Sequence, residues 1–192
     1  MRDHKISLEV FKECLNALNS KLVAMNESIE IKAIGGFALL YYGFRKVAYT
    51  HDIDTLNLTY PSHVMEAVEE VAVEFDISSY WLNNDVARSA EDLEDSEAML
   101  NAFWEKVDWE FSNISLYVAD PETLLLSKLM AAEEDDLTRR FQDFIDLMDM
   151  FEHLGCKSLG DCHGHCMKMD IVLSKEYPRN YERLAAEFAK VR

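Results

Sequence analysis

Ile29-Glu30-Ile31-Lys32-Ala33-Ile34-Gly35-Gly36-Phe37-Ala38-Leu39-Leu40-Tyr41-Tyr42, followed by Thr50-His51-Asp52-Ile53-Asp54, decides how the rest of the chain is read. Ile29 to Ile34 is short and β-branched, as a strand requires, and Gly35-Gly36 closes it. Phe37 to Tyr42 then returns to residues that a helix accepts. The local order is strand, glycine turn, helix. From His51 to Leu58 the residues alternate, with Ile53 and Thr55 on one face and Asp52 and Asp54 on the other, so a second strand carrying carboxylates is expected there.

Working outward, His4 to Met25 has apolar residues mostly at three- and four-residue steps, Ile6, Leu8, Val10, Phe11, Cys14, Leu15, Leu18, Leu22 and Val23, the pattern of an amphipathic helix with one buried face. Pro61 is expected at the first position of a further helix, with Val64, Val68, Val71 and Phe75 on its stripe. Ser78 to Glu97 is largely polar and ends in a run of acids, and reads as a solvated surface segment or an exposed helix. Val107 to Phe111 and Ile114 to Val118 read as two strands joined at Ser112-Asn113. Helices follow from Thr123 to Ala132, from Leu137 to Phe151 with a stripe of Leu137, Phe141, Phe144, Ile145, Met148 and Phe151, near Leu159 to Leu173, and near Pro178 to Val191. An α/β core over residues 1–120, with the first helix, and a helical C-terminal region over 121–192 packed on it are expected.

The 192 residues carry 36 acidic against 19 basic side chains, a net charge of −17, yet 49% are hydrophobic, enough for a real core rather than an acidic disordered tail. Such acidity disfavours a general electrostatic grip on nucleic acid, so any nucleic-acid role needs a local basic site. Met1 to Phe11 lacks the pattern of a secretory signal, and the longest uncharged run, Ala33 to Phe44, is well short of the roughly 18 residues of a membrane span. A cytoplasmic protein with no membrane anchor is expected. The four cysteines are read as thiols.

The two opening stretches share a chemical meaning. Paired glycines let backbone approach a ligand, and the following helix start points N–H groups at a phosphate. Two Asp at i and i+2 on a strand can share Mg²⁺, which takes one or two carboxylates with phosphate oxygens and water. Together they describe a nucleoside triphosphate on metal.

Ile34-Gly35-Gly36-Phe37-Ala38, Gly43-Phe44-Arg45 and Thr50-His51-Asp52-Ile53-Asp54 resemble the signature of the minimal nucleotidyltransferases, especially the AbiEii-like toxin group. Val118 to Leu129, which contains Lys128, and Arg140 to Leu147, which contains Asp143, resemble that family's later segments, so the likeness runs from about Ile29 to Met150. It implies a small mixed sheet flanked by helices. It also implies nucleotidyl transfer with Mg²⁺ or Mn²⁺ as cofactor and an NTP as substrate, to RNA or protein, in a toxin that an antitoxin protein would partner. Asp52 and Asp54 would hold the metal, and Gly35, Gly36, Arg45, Thr50 and Lys128 would bind the nucleotide. Lys128 would neutralise the transferring group, and Asp143 would orient that lysine or the acceptor. A third carboxylate usually completes such a site, and Glu110 or Asp108 is the candidate. Phe37 departs from the pattern, standing where many members have Ser or another small polar residue.

His153, Cys156, Cys162, His163, His165 and Cys166 hold zinc-type ligands but match no closed zinc spacing, and read instead as part of a helical pair. Tyr41, Tyr42, Phe44, Trp81, Trp104 and Trp109 read as core rather than as base-stacking platforms.

Overall fold

The computed structural model describes residues 5–57, 59–85, 103–134 and 137–190, with the side chains of 137–140 left out. Leu58, Val191 and the acidic run from Glu91 to Glu97 fall outside the described residues, as do the side chains of Leu137, Arg139 and Arg140. The chain divides into two compact units, Met1–Gly43 with Val47–Asp120, and Phe44–Lys46 with Pro121–Arg192.

The first unit is a mixed α/β structure. Its helix α1 (Leu8–Met25) starts four residues later than the apolar pattern alone implies. Ser7 explains the delay, because its side chain accepts from Val10 N–H as an N-cap and leaves the preceding backbone non-helical. Ile6, expected on the helix stripe, pairs its backbone with Thr50 instead, N–H to carbonyl at 2.8 and 3.0 Å. Phe11, Cys14, Leu15, Leu18 and Leu22 form the buried face.

β1 (Ile29–Ile34) is the central strand. With β2 (Ile53–Thr55), β3 (Leu82–Asn83), β4 (Trp104–Lys106) and β5 (Ile114–Ala119) it makes a five-stranded sheet in the order β3-β2-β1-β5-β4. β1 runs parallel to β5 and antiparallel to β2; β2 and β3 are parallel, and β4 and β5 antiparallel. β1 leads straight into α2 (Gly35–Tyr42), so the two glycines form the helix's first turn. Gly43, at φ +70°, closes it. α3 (Ser62–Glu74) follows with Pro61 at its N-cap, one position earlier than expected: the proline's ψ of 147° is extended, so it stands half outside the helix.

β2 is shorter than the alternation from His51 to Leu58 implies. Beyond Thr55 a side chain takes over from the ladder: Asn57 Oδ1 accepts from Lys32 N–H at 2.8 Å. β3 lies inside the segment read as solvated surface. Trp81 and Leu82 are buried there, and Trp81 donates its indole N–H to Val68 O at 3.0 Å, so the start of that segment is core.

The expected hairpin is present with a shifted first strand. Residues 104–106 pair with β5, and residues 107–113 form the connection. Trp109 draws this connection off the ladder by packing edge-on against Phe37, at 6.1 Å, and Tyr41, at 6.4 Å. Phe37 also meets Phe11 at 5.4 Å. The residue that departs from the family pattern is thus a fully buried centre of the core.

The second unit is helical: α4 (Pro121–Glu133), α5 (Leu137–His153), α6 (Leu159–Met167), α7 (Leu173–Glu176) and α8 (Pro178–Lys190). The helix expected near Leu159 to Leu173 breaks at Asp170, whose φ of 60° is left-handed. α5 buries Phe144 and Phe151 of the expected stripe, but its inward face is turned from the rest. Phe141 is exposed, whereas Leu147, Met150 and the carboxylates of Asp146 and Asp149 are inside. No helix among the described residues is long and apolar enough to cross a membrane.

Candidate functional site

In the first unit the register places Asp54 opposite Ile34, at the point where β1 becomes α2. Gly35 has φ +68°, the left-handed region that a Cβ disfavours by about 1–2 kcal/mol. A Cβ there would also lie 2.9 Å from Asp54 Oδ2. Only glycine lets the carboxylate lie against the backbone at the start of α2. Gly35→Ala should therefore both lower stability, by on the order of 2 kcal/mol, and push Asp54 aside. Thermal melts together with nucleotide titrations check both effects.

Asp52 stands just before β2, half-exposed like Asp54. A residue not singled out in the sequence joins them. Asn83 pairs with Asp54 across β2 and β3, is 8% exposed, and turns its carboxamide N–H toward Asp52 Oδ2 at 3.4 Å. Its own oxygen accepts from Asp85 N–H at 3.0 Å, which fixes the carboxamide so that the N–H side faces the aspartate. The only sequence signal for it was a polar residue at the end of a short apolar pair.

The structure does not bring Asp108 or Glu110 to this point. Both are exposed on the 107–113 connection, which joins β5 at Ile114, and Ile114 is level with Ile29 at the other end of β1. That separation is about five residues of strand rise, on the order of 17 Å. The carboxylates nearer the Asp54 end of β4 and β5 are Glu105 and Asp120. Tyr42 meets them: burial first, then the Glu105 carboxylate, pushes its phenol well above the ordinary range, with Asp120 adding to it. The register puts Glu105 opposite Val118 and so on the sheet face away from Asp54. Among the described residues no group of three or more His, Cys, Asp or Glu could hold a metal ion.

Two carboxylates with the backbone N–H groups of Gly35 and Gly36 are nevertheless a set that suits Mg²⁺ or Mn²⁺ arriving with phosphate, because such ions keep water and phosphate oxygens as most of their ligands. The close approach at Gly35 makes room for that arrangement. Thr50, two residues earlier, is 5% exposed and fixed by its backbone pair with Ile6. It steadies the entry to the Asp52 segment.

The second unit gathers Arg45, Lys128, Asp143 and Asp146. Asp146, fully buried, takes Arg45 Nε at 2.8 Å and Nη2 at 2.9 Å, Lys128 Nζ at 3.0 Å and Gln142 Nε2 at 2.9 Å. Asp143 takes Lys128 Nζ at 2.6 Å. Burial alone would drive Lys128 toward neutrality, but Asp146 and Asp143 together raise its pKa above the ordinary lysine range. Burial likewise opposes ionisation of Asp146, and Lys128 and Arg45 outweigh it, holding the carboxyl below its usual range. Asp146 is the hub of the cluster, a part its position in the sequence did not reveal. Next to it Asp149 accepts from Lys46 N–H at 3.1 Å and meets Lys46 Nζ at 3.3 Å.

Cys162 and Cys166 are buried on α6, and burial pushes Cys166 up to about 11, as befits inert core thiols.

A sequence model of the family described as a nucleotidyltransferase of unknown function (DUF6036) matches residues 10–152. No curated protein and no solved structure matches the chain.

Proposed function

The chain belongs to this family of nucleotidyltransferases of unknown function, and from that premise we propose that it moves a nucleotide from an NTP to an acceptor, with Mg²⁺ or Mn²⁺ as cofactor. The observation that carries the reading is the meeting of Asp54 with Gly35. A strand-borne carboxylate lies against the start of a helix that only glycine can open, with Asp52 and the Asn83 carboxamide beside it. The backbone N–H groups of Gly35 and Gly36 would receive triphosphate oxygens. Asp52 and Asp54 would hold the metal, which supplies charge neutralisation at the phosphorus and the leaving pyrophosphate. Asn83 keeps Asp52 turned for that task. The acceptor oxygen would form a bond to the α-phosphorus as the bond to pyrophosphate breaks, a reaction that positioning and electrostatics largely accelerate.

Incubation with each α-labelled NTP and Mg²⁺ should release pyrophosphate and label an acceptor. Failure with every nucleotide, under either metal, would overturn transfer. One observation favours a second reading, a domain that binds nucleotide without transferring it: no third carboxylate joins Asp52 and Asp54 among the described residues. Calorimetric NTP binding with no pyrophosphate release would establish it. The resemblance to AbiEii-like toxins adds to the proposal a toxin countered by an antitoxin protein. Expression should then arrest growth, and Asp52→Ala with Asp54→Ala should relieve the arrest.

A further inference from the structure

The sheet face that carries Asp54 has a second feature. Cross-strand partners share a face, so Asp54 lies on the same side as Ile34, and with it Lys32 and Glu30 of β1, Tyr117 of β5, and Lys106 and Trp104 of β4. Lys32, Tyr117 and Lys106 form one row across three strands, because Tyr117 pairs with Lys32 on one side and Lys106 on the other. Trp104 stands beside this row, and the Lys32 ammonium lies 5.9 Å from the centre of its ring. Lys106 is exposed, Tyr117 and Trp104 are partly exposed, and the Lys32 side chain keeps 39% of its surface open. The opposite face, with Ile31, Ala33, Leu116 and Val118, is core. In a chain of net charge −17 this is a local patch of two cations and two aromatic rings.

We propose that this face binds a single-stranded nucleic acid, with bases stacked on Tyr117 and Trp104 and phosphates paired with Lys32 and Lys106, as the acceptor in the transfer proposed above, on which this role rests. Aromatic rings supply base stacking worth about 1–3 kcal/mol each, and lysines beside them neutralise phosphates. Width argues for a strand rather than the donor's own base. β4 is three strands from β2, on the order of 14 Å, more than one nucleobase spans. The overall negative charge argues against a duplex, which would need a broad basic track. Glu30 limits the grip, since its carboxylate lies 3.2 Å from Lys32 Nζ.

The test reads binding without chemistry. Fluorescence anisotropy of a fluorescein-labelled single-stranded RNA of about ten nucleotides, with EDTA and no NTP, should give a saturable isotherm. Tyr117→Ala and Trp104→Ala should each weaken it about tenfold or more. Lys32→Ala and Lys106→Ala should each reduce the dependence of log K on log salt by about 0.7, and Glu30→Gln should strengthen binding. Lys175→Ala, on α7, should change nothing. No binding, unchanged binding in both aromatic variants, equal binding of a duplex, or displacement by ATP alone would each overturn the proposal. Pyrophosphate release without RNA binding sinks this acceptor alone, whereas RNA binding without any release sinks the transfer reading and leaves the surface standing.

Discussion

Asp146→Ala should unfold the second unit at a temperature on the order of 10 °C lower, the largest stability loss of any single substitution in that unit. Its carboxylate is fully buried and satisfies Arg45 through two hydrogen bonds while also facing Lys128. Removing it takes a bidentate carboxylate from a guanidinium that is 7% exposed and leaves an ammonium that is 9% exposed beside Asp143. Breaking such a buried pair costs about 3–5 kcal/mol, far more than an exposed pair returns. The exposed Lys190–Glu187 pair of α8 provides the contrast: Lys190→Ala should cost less than about 0.5 kcal/mol. Replacing Arg45, Lys128 and Asp146 together by Met, Met and Leu should recover most of the loss, because apolar residues of similar volume need no partners. Circular dichroism melts of the single and triple variants test this. Equal melting points for Asp146→Ala and the wild type would overturn the reading of Asp146 as the hub.

The same cluster sets a pH window. Asp146 has a depressed folded pKa, so its contribution is complete above the unfolded carboxyl value near 4 and is lost as pH falls through the still lower folded value. Lys128 has a raised folded pKa, so its contribution is complete below the unfolded value near 10.4 and is lost as pH rises beyond it. Melting of the second unit should be flat across neutral pH and fall below about pH 4. In Asp146→Ala the acid limb should shrink.

The sequence made the β1–α2 junction legible because every level agreed there. A β-branched run, a glycine pair and helix-compatible residues follow one another within fourteen positions, and no distant partner is needed to choose among conformations. The burial of Phe144 and Phe151 on α5 followed the period, whereas that of Asp146 was illegible for the opposite reason. Period alone assigns Phe141 to the core and Asp146 to water. The order reverses because Arg45, about a hundred positions away, makes an ionised carboxylate tolerable inside. The hairpin shifted because Trp109 and Phe111 look like strand residues, yet their rings fit an aromatic cluster with Phe37 and Tyr41 that a pleated ladder would not allow. Trp104, read as core with the other aromatics, stands instead on the sheet face that also carries Asp54, since its place depended on that same shift. Asn83 was hidden by its type: a polar residue after Trp81-Leu82 gives no sign that it reaches an aspartate at the start of the neighbouring strand.

Asp54→Ala should abolish pyrophosphate release, by about three orders of magnitude or more, while leaving the first unit folded. The two effects separate for physical reasons. Asp54 is half-exposed, and its carboxylate crowds Gly35 rather than filling the core, so its removal costs little packing. Chemistry would suffer because one carboxylate, Asp52, cannot both fix a metal and hold it beside the first turn of α2, and misplacing the reacting groups by even about 1 Å costs on the order of a hundredfold. Metal-free NTP titration should show binding unchanged or tighter, since a negative charge facing the triphosphate has gone. A double-mutant cycle adds a structural readout. Gly35→Ala destabilises partly by the 2.9 Å clash with Asp54 Oδ2, so its cost should shrink in the Asp54→Ala background, leaving only the left-handed backbone term of about 1–2 kcal/mol. Release in Asp54→Ala within tenfold of the wild type would remove the carboxylate pair from the chemistry, and strictly additive stabilities would remove the contact with Gly35 from the site.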